Sequence, residues 1–274
     1  MTVFAIGDWT EGVPEIDLCR PNIARMSNYL LGGKDNYAAD RAAVREIAEH
    51  APEALSLAHG NREFQGRTVR SLAEEGIDQF VELGAGMPIG QGVHDVAGKA
   101  VQRPRVVYVD NDPVVVTHGR ALLDNGDNVA AIEGDLRTPE VLLKHPRMQA
   151  TIDFRRPVAV LCTEVLHFVR DSERPRAILR AFREVMAPGS ALVLSHACAD
   201  HAAPEALRAV ERVYSRTGVP LVPRGRDEIL RMFDGFDTVG PGLMDITRWP
   251  FAHPSPPDAA LALFGGVARY RPRA

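Results

Sequence analysis

Two glycines and an acid mark the end of the first strongly apolar run in the chain. In FVELGAGMP, residues 80–88, Glu82 lies within this run, and Gly84 and Gly86 follow it. Glycines let a backbone pass close to a ligand, and the N-terminus of a following helix offers unpaired N–H groups. The segment therefore predicts a ligand-binding turn, although a plain glycine-rich turn also occurs at this place in many sheets.

Two further acids follow the next two apolar runs. Asp110 ends VVYVD, 24 residues after the second glycine, where an acid at the tip of the neighbouring strand can accept hydrogen bonds from both ribose hydroxyls. Asp135 follows the third run in AIEGDLR, where its carboxylate can accept from an adenine amine while Leu136 contacts the ring. Asp112, which precedes a proline, is interpreted as a helix cap.

The spacing of the glycines distinguishes between nucleotide ligands. A dinucleotide fingerprint requires GxGxxG or GxGxxA, and this chain has Ile89 where the third small residue would fall. Glu82 would repel a phosphate and attract a cation. A ligand with adenosine at one end and ammonium and sulfonium cations at the other, S-adenosylmethionine, fits this pattern better than a dinucleotide.

The acids and glycines can meet only if a sheet brings the strand ends together. Five apolar runs lie at 80–83, 106–109, 129–132, 158–161 and 191–194. Runs without polar alternation are typical of strands buried on both faces of a parallel sheet. Helical patterns separate them, which predicts βαβ units in an open, doubly wound α/β sheet. Two late segments, 236–247 and 263–271, predict an antiparallel hairpin at the sheet edge.

The first 75 residues have helical patterns alone. In LLGGKDNYAAD, residues 30–40, a glycine pair ends the first helix. A phosphate loop is excluded here, because Lys34 follows a helix and the GxxxxGK[ST] spacing is absent. The plain interpretation of the break is a hinge between two helices.

Taken together, the motifs resemble those of class I S-adenosylmethionine-dependent methyltransferases. The segments that carry the resemblance are ELGAGMP, VYVDNDP, EGDLR, VLHFV and APGSALVLSH. ARMSNYLLGGKDNYAADR adds a similarity to a bacterial family of S-adenosyl methyltransferases formerly catalogued as a domain of unknown function, and the resemblance extends from about Pro21 to Arg271. Many methyltransferases have a third glycine where this chain has Pro88, which puts the path of that loop in doubt.

The resemblance implies a fold and a domain organisation. The fold would be Rossmann-like, with a seven-stranded, mostly parallel sheet whose last strand is antiparallel. Residues 1–75 would form a helical N-terminal lid and residues 76–274 the cofactor-binding domain, in one compact unit.

The resemblance also implies roles for individual residues. It places Glu82, Gly84 and Gly86 at the methionine end of the cofactor, Asp110 at the ribose and Asp135 at the adenine. The other cofactor contacts expected along the sheet edge are Asn111, Gly134, Leu136 and Thr163.

In the lid, four side chains are expected to face the methionine carboxylate or the substrate. They are Tyr29, Lys34, Asn36 and Tyr37.

Residues after the fourth and fifth runs are candidates for contact with the substrate. His167, in CTEVLHFVRD, is a candidate general base, the alternative being a histidine that is hydrogen-bonded locally. The segment SHACADH contains His196, Cys198, Asp200 and His201, whose spacing matches no standard ligand set, so no metal is expected.

Two aromatic residues near the C-terminus, Trp249 and Phe251, could line an apolar pocket or pack at the edge of the core.

Composition limits the classes of protein further. The chain has 274 residues and a net charge of -4, which argues against a nucleic-acid partner. No apolar stretch is long enough to span a bilayer, the first residues lack the basic region of a signal peptide, and three cysteines without CxxC spacing fit reduced thiols. We therefore expect a cytoplasmic bacterial protein without a membrane partner, with its oligomeric state open and a homodimer among the options.

The predicted function is methyl transfer from S-adenosylmethionine to a small-molecule acceptor, by in-line displacement at the sulfonium methyl and with S-adenosylhomocysteine as product. Two alternatives stay open. One is a regulatory protein that binds the cofactor or its product without transfer, and the other is an oxidoreductase with a nucleotide cofactor.

Overall fold

The computed structural model describes residues 17–200, 202–249 and 261–272. The expectations for His201 and Phe251 lie outside these residues. From residue 17 to residue 75 the described chain contains helices and no strand: α1 is Ile23–Leu30, α2 is Ala38–His50 and α3 is Ala54–Glu74.

Within the described residues, seven strands form one sheet, which confirms the predicted fold class. Their bounds are Gln79–Leu83 for β1, Arg105–Asp110 for β2, Val129–Glu133 for β3, Ala159–Thr163 for β4, Ala191–Cys198 for β5, Asp237–Asp245 for β6 and Ala262–Arg269 for β7. The spatial order is β3-β2-β1-β4-β5-β7-β6. Strands β1 to β5 are parallel, and β7 runs antiparallel to both of its neighbours.

Helices follow most strands, and several begin at a proline, whose fixed φ suits the first helical position. They are α4 at Val93–Ala97, α5 at Pro113–Leu122, α6 at Pro139–Leu143, α7 at Pro146–Thr151, α8 at Pro175–Val185, α9 at Pro204–Ser215 and α10 at Arg226–Leu230. Asp112 caps α5 as expected, since its side chain accepts from the N–H of Val114.

Both faces of the sheet are buried. On one face, Val81 and Val160 pack with Phe182 of α8. On the other, Phe80 and Leu161 pack with α3, including Phe64. Helix α3 therefore belongs to the layer that covers the sheet, although it precedes the first strand in sequence.

The glycine pair at residues 32 and 33 forms the turn that ends α1. The N–H groups of Gly32 and Gly33 donate to the carbonyls of Tyr29 and Asn28, at 3.0 and 2.8 Å. A Cβ on Gly33 would collide with the Asn28 side chain. The Asn28 Oδ1 accepts from the Asn36 amide at 2.9 Å, so the break is a tightly packed turn between helices.

Candidate functional site

A cavity of about 550 Å³ opens at the carboxyl edge of the parallel strands. It is lined by the loops that follow β1 to β4 and by α1 and α3. The order of strands reverses between β1 and β4, which is the place where ligands bind in open α/β sheets. The volume is that of a site for a small molecule.

Glycines shape the loop after β1 for two different reasons. Gly84 has φ +74° and Gly86 has φ +66°, a conformation that side chains rarely adopt. A Cβ on Gly84 would collide with Val165, whereas a Cβ on Gly86 would meet no protein atom within 4 Å. Gly84 therefore permits close packing of two loops, and Gly86 leaves an open cradle against the cavity.

Asp110 holds the glycine loop in place. Its Oδ2 accepts from the N–H of Gly86 and its Oδ1 from the N–H of Asp112, both at 2.9 Å. Burial raises the pKa of the Asp110 carboxyl above its usual range. Asn111 also lines the cavity. The Nδ2 of Asn22, the cap of α1, donates to Asp112 Oδ2 at 2.7 Å and ties the N-terminal helix to this turn.

Asp135 lies at the β3 end of the cavity and is paired with a residue that the sequence analysis did not single out. The Arg137 guanidinium donates to both carboxylate oxygens of Asp135 and, at 2.8 Å, to Glu173. This hydrogen bonding lowers the pKa of the Asp135 carboxyl. Gly134 and Leu136 also line the cavity, and a Cβ on Gly134 would collide with Leu142.

Glu82 is a buried carboxyl group, with only 4% of the residue exposed. Burial raises its pKa to about 7, against the opposing effects of Arg62 and of the hydrogen bond from Gln65. The Nε2 of Gln65 donates both to Glu82 Oε1 and, at 3.2 Å, to Thr163 Oγ1. Helix α3 thus links the ends of β1 and β4.

Two more residues of α3 line the cavity beside Gln65. The Arg62 guanidinium donates to Gln65 Oε1 and to the carbonyls of Ile89 and Gln91, at 2.9, 2.9 and 2.7 Å. Asn61 reaches the loop after β4. Sequence reasoning missed all three residues, because in HGNREFQ they have the composition of an ordinary polar helix face.

A second acid of the cavity, the partly buried Glu164, was missed by sequence reasoning. Its backbone has φ +54°, and its Oε2 accepts from Asn61 Nδ2 at 2.8 Å. Burial raises the pKa of its carboxyl to about 8, while the hydrogen bond from Asn61 opposes this shift. Ser195, within β5, donates through Oγ to Asn61 Oδ1 at 2.6 Å and accepts from the N–H of Glu164 at 3.0 Å.

Four residues expected in the lid do not line the cavity. Lys34 and Tyr37 are exposed, and Asn36 is buried in the turn against Asn28 and Gly33. Tyr29 packs against the apolar cluster formed by α1, α2 and α9. These positions do not support the cofactor contacts expected of Tyr29, Lys34 and Asn36, which stay predictions. Helix α1 faces the cavity instead through residues such as Asn22 and Ser27.

His167 also lies away from the cavity lining. It is buried, its Nδ1 accepts from the N–H of Ala197 at 3.2 Å, and its ring contacts those of Phe168 and His196. Burial lowers the pKa of the imidazole well below its usual value. These contacts favour the alternative, a locally hydrogen-bonded histidine, and the role of His167 as a general base stays a prediction.

Three other candidate residues, His196, Asp200 and Trp249, contact neighbouring protein residues. The Nε2 of His196 accepts from Arg224 at 2.8 Å, and Asp200 accepts from the N–H of Arg226 at 2.8 Å. Trp249 is buried with its ring edge-on to Phe64, at 5.2 Å between centroids.

Among the described residues, no group of three or more histidine, cysteine, aspartate or glutamate side chains could hold a metal ion. No helix in the described part of the chain is long and apolar enough to cross a membrane.

The carboxylates of the cavity follow the order of the strands. Asp135, Asp110 and Glu82 lie at the ends of β3, β2 and β1. Asp135 and Asp110 offer acceptors for amine and hydroxyl donors, and the buried Glu82 would gain from a neighbouring cation. With the open cradle at Gly86, this set fits a nucleoside that carries a cationic amino-acid chain.

Comparisons with known proteins agree with this chemistry. The sequence model of the S-adenosyl methyltransferase family matches residues 10–271. A candidate methyltransferase from Thermobifida fusca YX is 37% identical, with 93% of this chain and 97% of that chain covered and a TM-score of 0.86. A DUF574 family protein from Streptomyces avermitilis MA-4680 is 33% identical, with 92% and 98% covered and a TM-score of 0.85. No curated protein matches this chain.

Proposed function

Because this chain belongs to the S-adenosyl methyltransferase family, we propose that it transfers the methyl group of S-adenosylmethionine to a small acceptor bound in the same cavity. The observation that carries the proposal is the series of carboxylates along the strand ends, from Asp135 through Asp110 to Glu82, beside the open cradle at Gly86.

Each member of this series has a role in binding the cofactor. Asp135 accepts from the adenine amine while Leu136 contacts the ring, and Asp110 accepts from the ribose hydroxyls. Glu82 binds the ammonium group. An ammonium beside Glu82 would lower the pKa of the carboxyl from about 7, so both groups would be charged at neutral pH.

S-adenosylmethionine supplies a methyl group that is activated by the sulfonium it is bound to. The protein aligns the acceptor for in-line displacement and excludes water. Apolar side chains line the cavity beyond the end of β4, among them Leu31, Val165 and Phe168. A small acceptor is supported by the volume of about 550 Å³, which cofactor and acceptor would share.

The N-terminal helices act as a cover for the cavity. Support comes from Asn22, which bonds Asp112 at 2.7 Å, and from α3, which supplies Asn61, Arg62 and Gln65 to the lining. We propose that α1 is the mobile part of this lid, whereas α3 is a fixed wall because it packs on the sheet.

Ligand binding to wild type and to Asp110→Ala tests the proposal. S-adenosylmethionine and S-adenosylhomocysteine should each stabilise the wild-type protein, by about 2.7 kcal/mol at a hundredfold the Kd. The loss of two hydroxyl contacts should weaken both ligands by roughly a hundredfold in Asp110→Ala. Asp127→Ala, an exposed residue away from the cavity, is the matched control and should bind normally. Stabilisation by NAD with no response to the two S-adenosyl ligands would contradict the proposal.

A second measurement separates an enzyme from a regulatory binder. Release of S-adenosylhomocysteine is followed with a panel of small acceptors. Release that depends on an acceptor and disappears in Asp110→Ala would support methyl transfer, whereas tight cofactor binding without turnover on any acceptor would favour regulation.

A further inference from the structure

Glu164 lies one strand beyond the carboxylates assigned to the cofactor. Strand β4 is the neighbour of β1 in the sheet, and Glu164 directly follows β4 as Gly84 directly follows β1. Both residues line the same cavity. If the adenosine lies over β3 and β2 and the amino-acid chain over β1, the side chain of Glu164 faces the sulfur-bearing end of the cofactor.

Hydrogen bonds from neighbouring residues fix the backbone and the side chain of Glu164. A non-glycine residue at φ +54° is uncommon, and its cost is of order 1 kcal/mol. The backbone is held by the hydrogen bond from the N–H of Glu164 to Ser195, and Ser195 also orients Asn61. Asn61 in turn donates to Oε2, while no hydrogen bond from any described residue reaches Oε1. One carboxylate oxygen is therefore free to meet a ligand.

No cation of the described chain is paired with this carboxyl group. The titratable group that faces it is Tyr214 on α9, while Glu82 on β1 and Arg62 on α3 line the same cavity. Burial, and then the proximity of Glu164, raises the pKa of the Tyr214 phenol, so the phenol is neutral. Arg62 donates to Gln65 and to two backbone carbonyls instead. A partly buried, desolvated acid without a positive partner is costly to ionise unless a ligand supplies the charge.

We propose that Glu164 recognises the sulfonium of S-adenosylmethionine, so that its ionised carboxylate favours the cationic cofactor over the uncharged product S-adenosylhomocysteine. This inference rests on the proposed function. Transfer of the methyl group leaves a neutral thioether, and the carboxylate then loses its attraction. Glu164 thereby lowers the relative affinity for the product and assists its release.

Because the pKa of Glu164 is raised, the proposal predicts that binding of S-adenosylmethionine releases a proton. Because this pKa is about 8 without ligand, the carboxyl is mostly protonated at pH 7. A sulfonium at the free oxygen lowers the pKa, so binding of S-adenosylmethionine releases a proton from Glu164. Binding of S-adenosylhomocysteine does not. Protons released through Glu82 are common to both ligands, because both carry the same ammonium group.

Titration calorimetry on Glu164→Gln tests the proposal without a known acceptor. The experiment is done at pH 7 in buffers of different ionisation enthalpy. The number of protons released per molecule of S-adenosylmethionine bound should be lower in this variant than in wild type, by roughly half a proton to one proton. Those released by S-adenosylhomocysteine should not change. The ratio of S-adenosylmethionine affinity to S-adenosylhomocysteine affinity should fall about tenfold at pH 8.5, where Glu164 is ionised, and less than twofold at pH 6.

Two further variants provide a control and an independent test of the same carboxyl group. Glu133→Gln makes the same substitution at an exposed residue on the same sheet edge and should match wild type. Asn61→Ala removes the hydrogen bond that favours the ionised form, so the affinity ratio at pH 8.5 should fall partway towards that of Glu164→Gln.

The outcomes separate this inference from the proposed function. If Asp110→Ala weakens both ligands but Glu164→Gln leaves the ratio and the proton count unchanged, only the role of Glu164 is overturned. If neither ligand binds wild type, the proposed function itself fails.

Discussion

The cavity has two walls that are built in different ways. The sheet wall consists of the turns after β1, β2 and β3, with Gly84, Gly86, Asp110 and Asp135. The helical wall consists of the α3 residues Asn61, Arg62 and Gln65. Every residue of the sheet wall lies within a few residues of a strand end in the sequence. The helical wall depends on contacts between distant segments, such as Gln65 with Thr163, 98 residues away, and Asn61 with Glu164, 103 residues away.

This difference separates two tasks. In the proposed function, the sheet wall would present backbone turns and carboxylates to the parts of the cofactor that never react. The helical wall supplies the hydrogen-bond donors to the buried Glu82 and the partly buried Glu164, two acids whose pKa values desolvation raises to about 7 and about 8. We infer that the sheet wall sets where the cofactor lies and that the helical wall sets the charge around its amino-acid end.

The largest expected effect is on the sheet wall, where two glycines can be compared directly. Gly84→Ala combines an unfavourable φ with a collision against Val165 and should lower the free energy of unfolding by about 3 kcal/mol. Gly86→Ala has a similar φ but open space and should cost only about 1 kcal/mol while weakening cofactor binding, because its Cβ enters the cradle. Urea unfolding measures both. Equal losses of stability would show that the two glycines do not have separate roles.

On the helical wall, Gln65→Leu should weaken S-adenosylhomocysteine binding by about tenfold, or about 1.4 kcal/mol. Without the amide, the pKa of Glu82 rises further above about 7, so less of the carboxyl is ionised at pH 7 to meet the ammonium. Calorimetric Kd values at pH 7 check this. Arg70→Leu, on the exposed side of α3, is the control. An unchanged Kd in Gln65→Leu would mean that the helical wall has no part in cofactor binding.

The contact between α1 and the sheet wall predicts a smaller, local effect. Asn22→Ala removes both the cap of α1 and the hydrogen bond to Asp112 and should destabilise this helix by about 1 kcal/mol. Hydrogen exchange should become faster in α1 but not in α8, which serves as the internal reference. Bound S-adenosylhomocysteine should slow exchange in α1 if this helix is the lid. Exchange in α1 that is indifferent to the ligand would argue against closure.

The smallest effect is expected at the adenine end of the sheet wall. Arg137 and Asp135 are partly exposed, with 44% and 33% of their side chains accessible, so solvent screens their ion pair. Arg137→Ala should therefore lower the free energy of unfolding by less than about 1 kcal/mol, and the difference should shrink in high salt. Thermal unfolding at low and high ionic strength tests this. A large, salt-independent loss would show that Arg137 has a packing role.

The fold could be predicted from the sequence because its signals are local. Apolar runs such as 80–83 and 158–161 are strands, and the glycine pair after Leu31 ends α1. The sheet wall was predictable for the same reason, since Asp110 is the last residue of β2 and Asp135 follows β3 by two residues.

The helical wall and Glu164 were not predictable in this way. Gln65 and Asn61 reach the cavity only because α3 packs on the sheet. The φ of Glu164 depends on its contact with Ser195. Lys34 and Asn36 do not line the cavity, and their expected cofactor contacts stay predictions, because glycines, lysine and asparagine near a cleft do not reveal which side of a turn faces it. Asn36 is used to pack the turn itself.

A crystal structure with S-adenosylhomocysteine tests the central claim most directly, since it shows how the ligand lies along the two walls. The account predicts the adenine amine at Asp135, the ribose hydroxyls at Asp110 and the ammonium at Glu82. The thioether sulfur should then lie on the side of Glu164. A ligand bound in the reverse direction, or outside the cavity, would contradict the account.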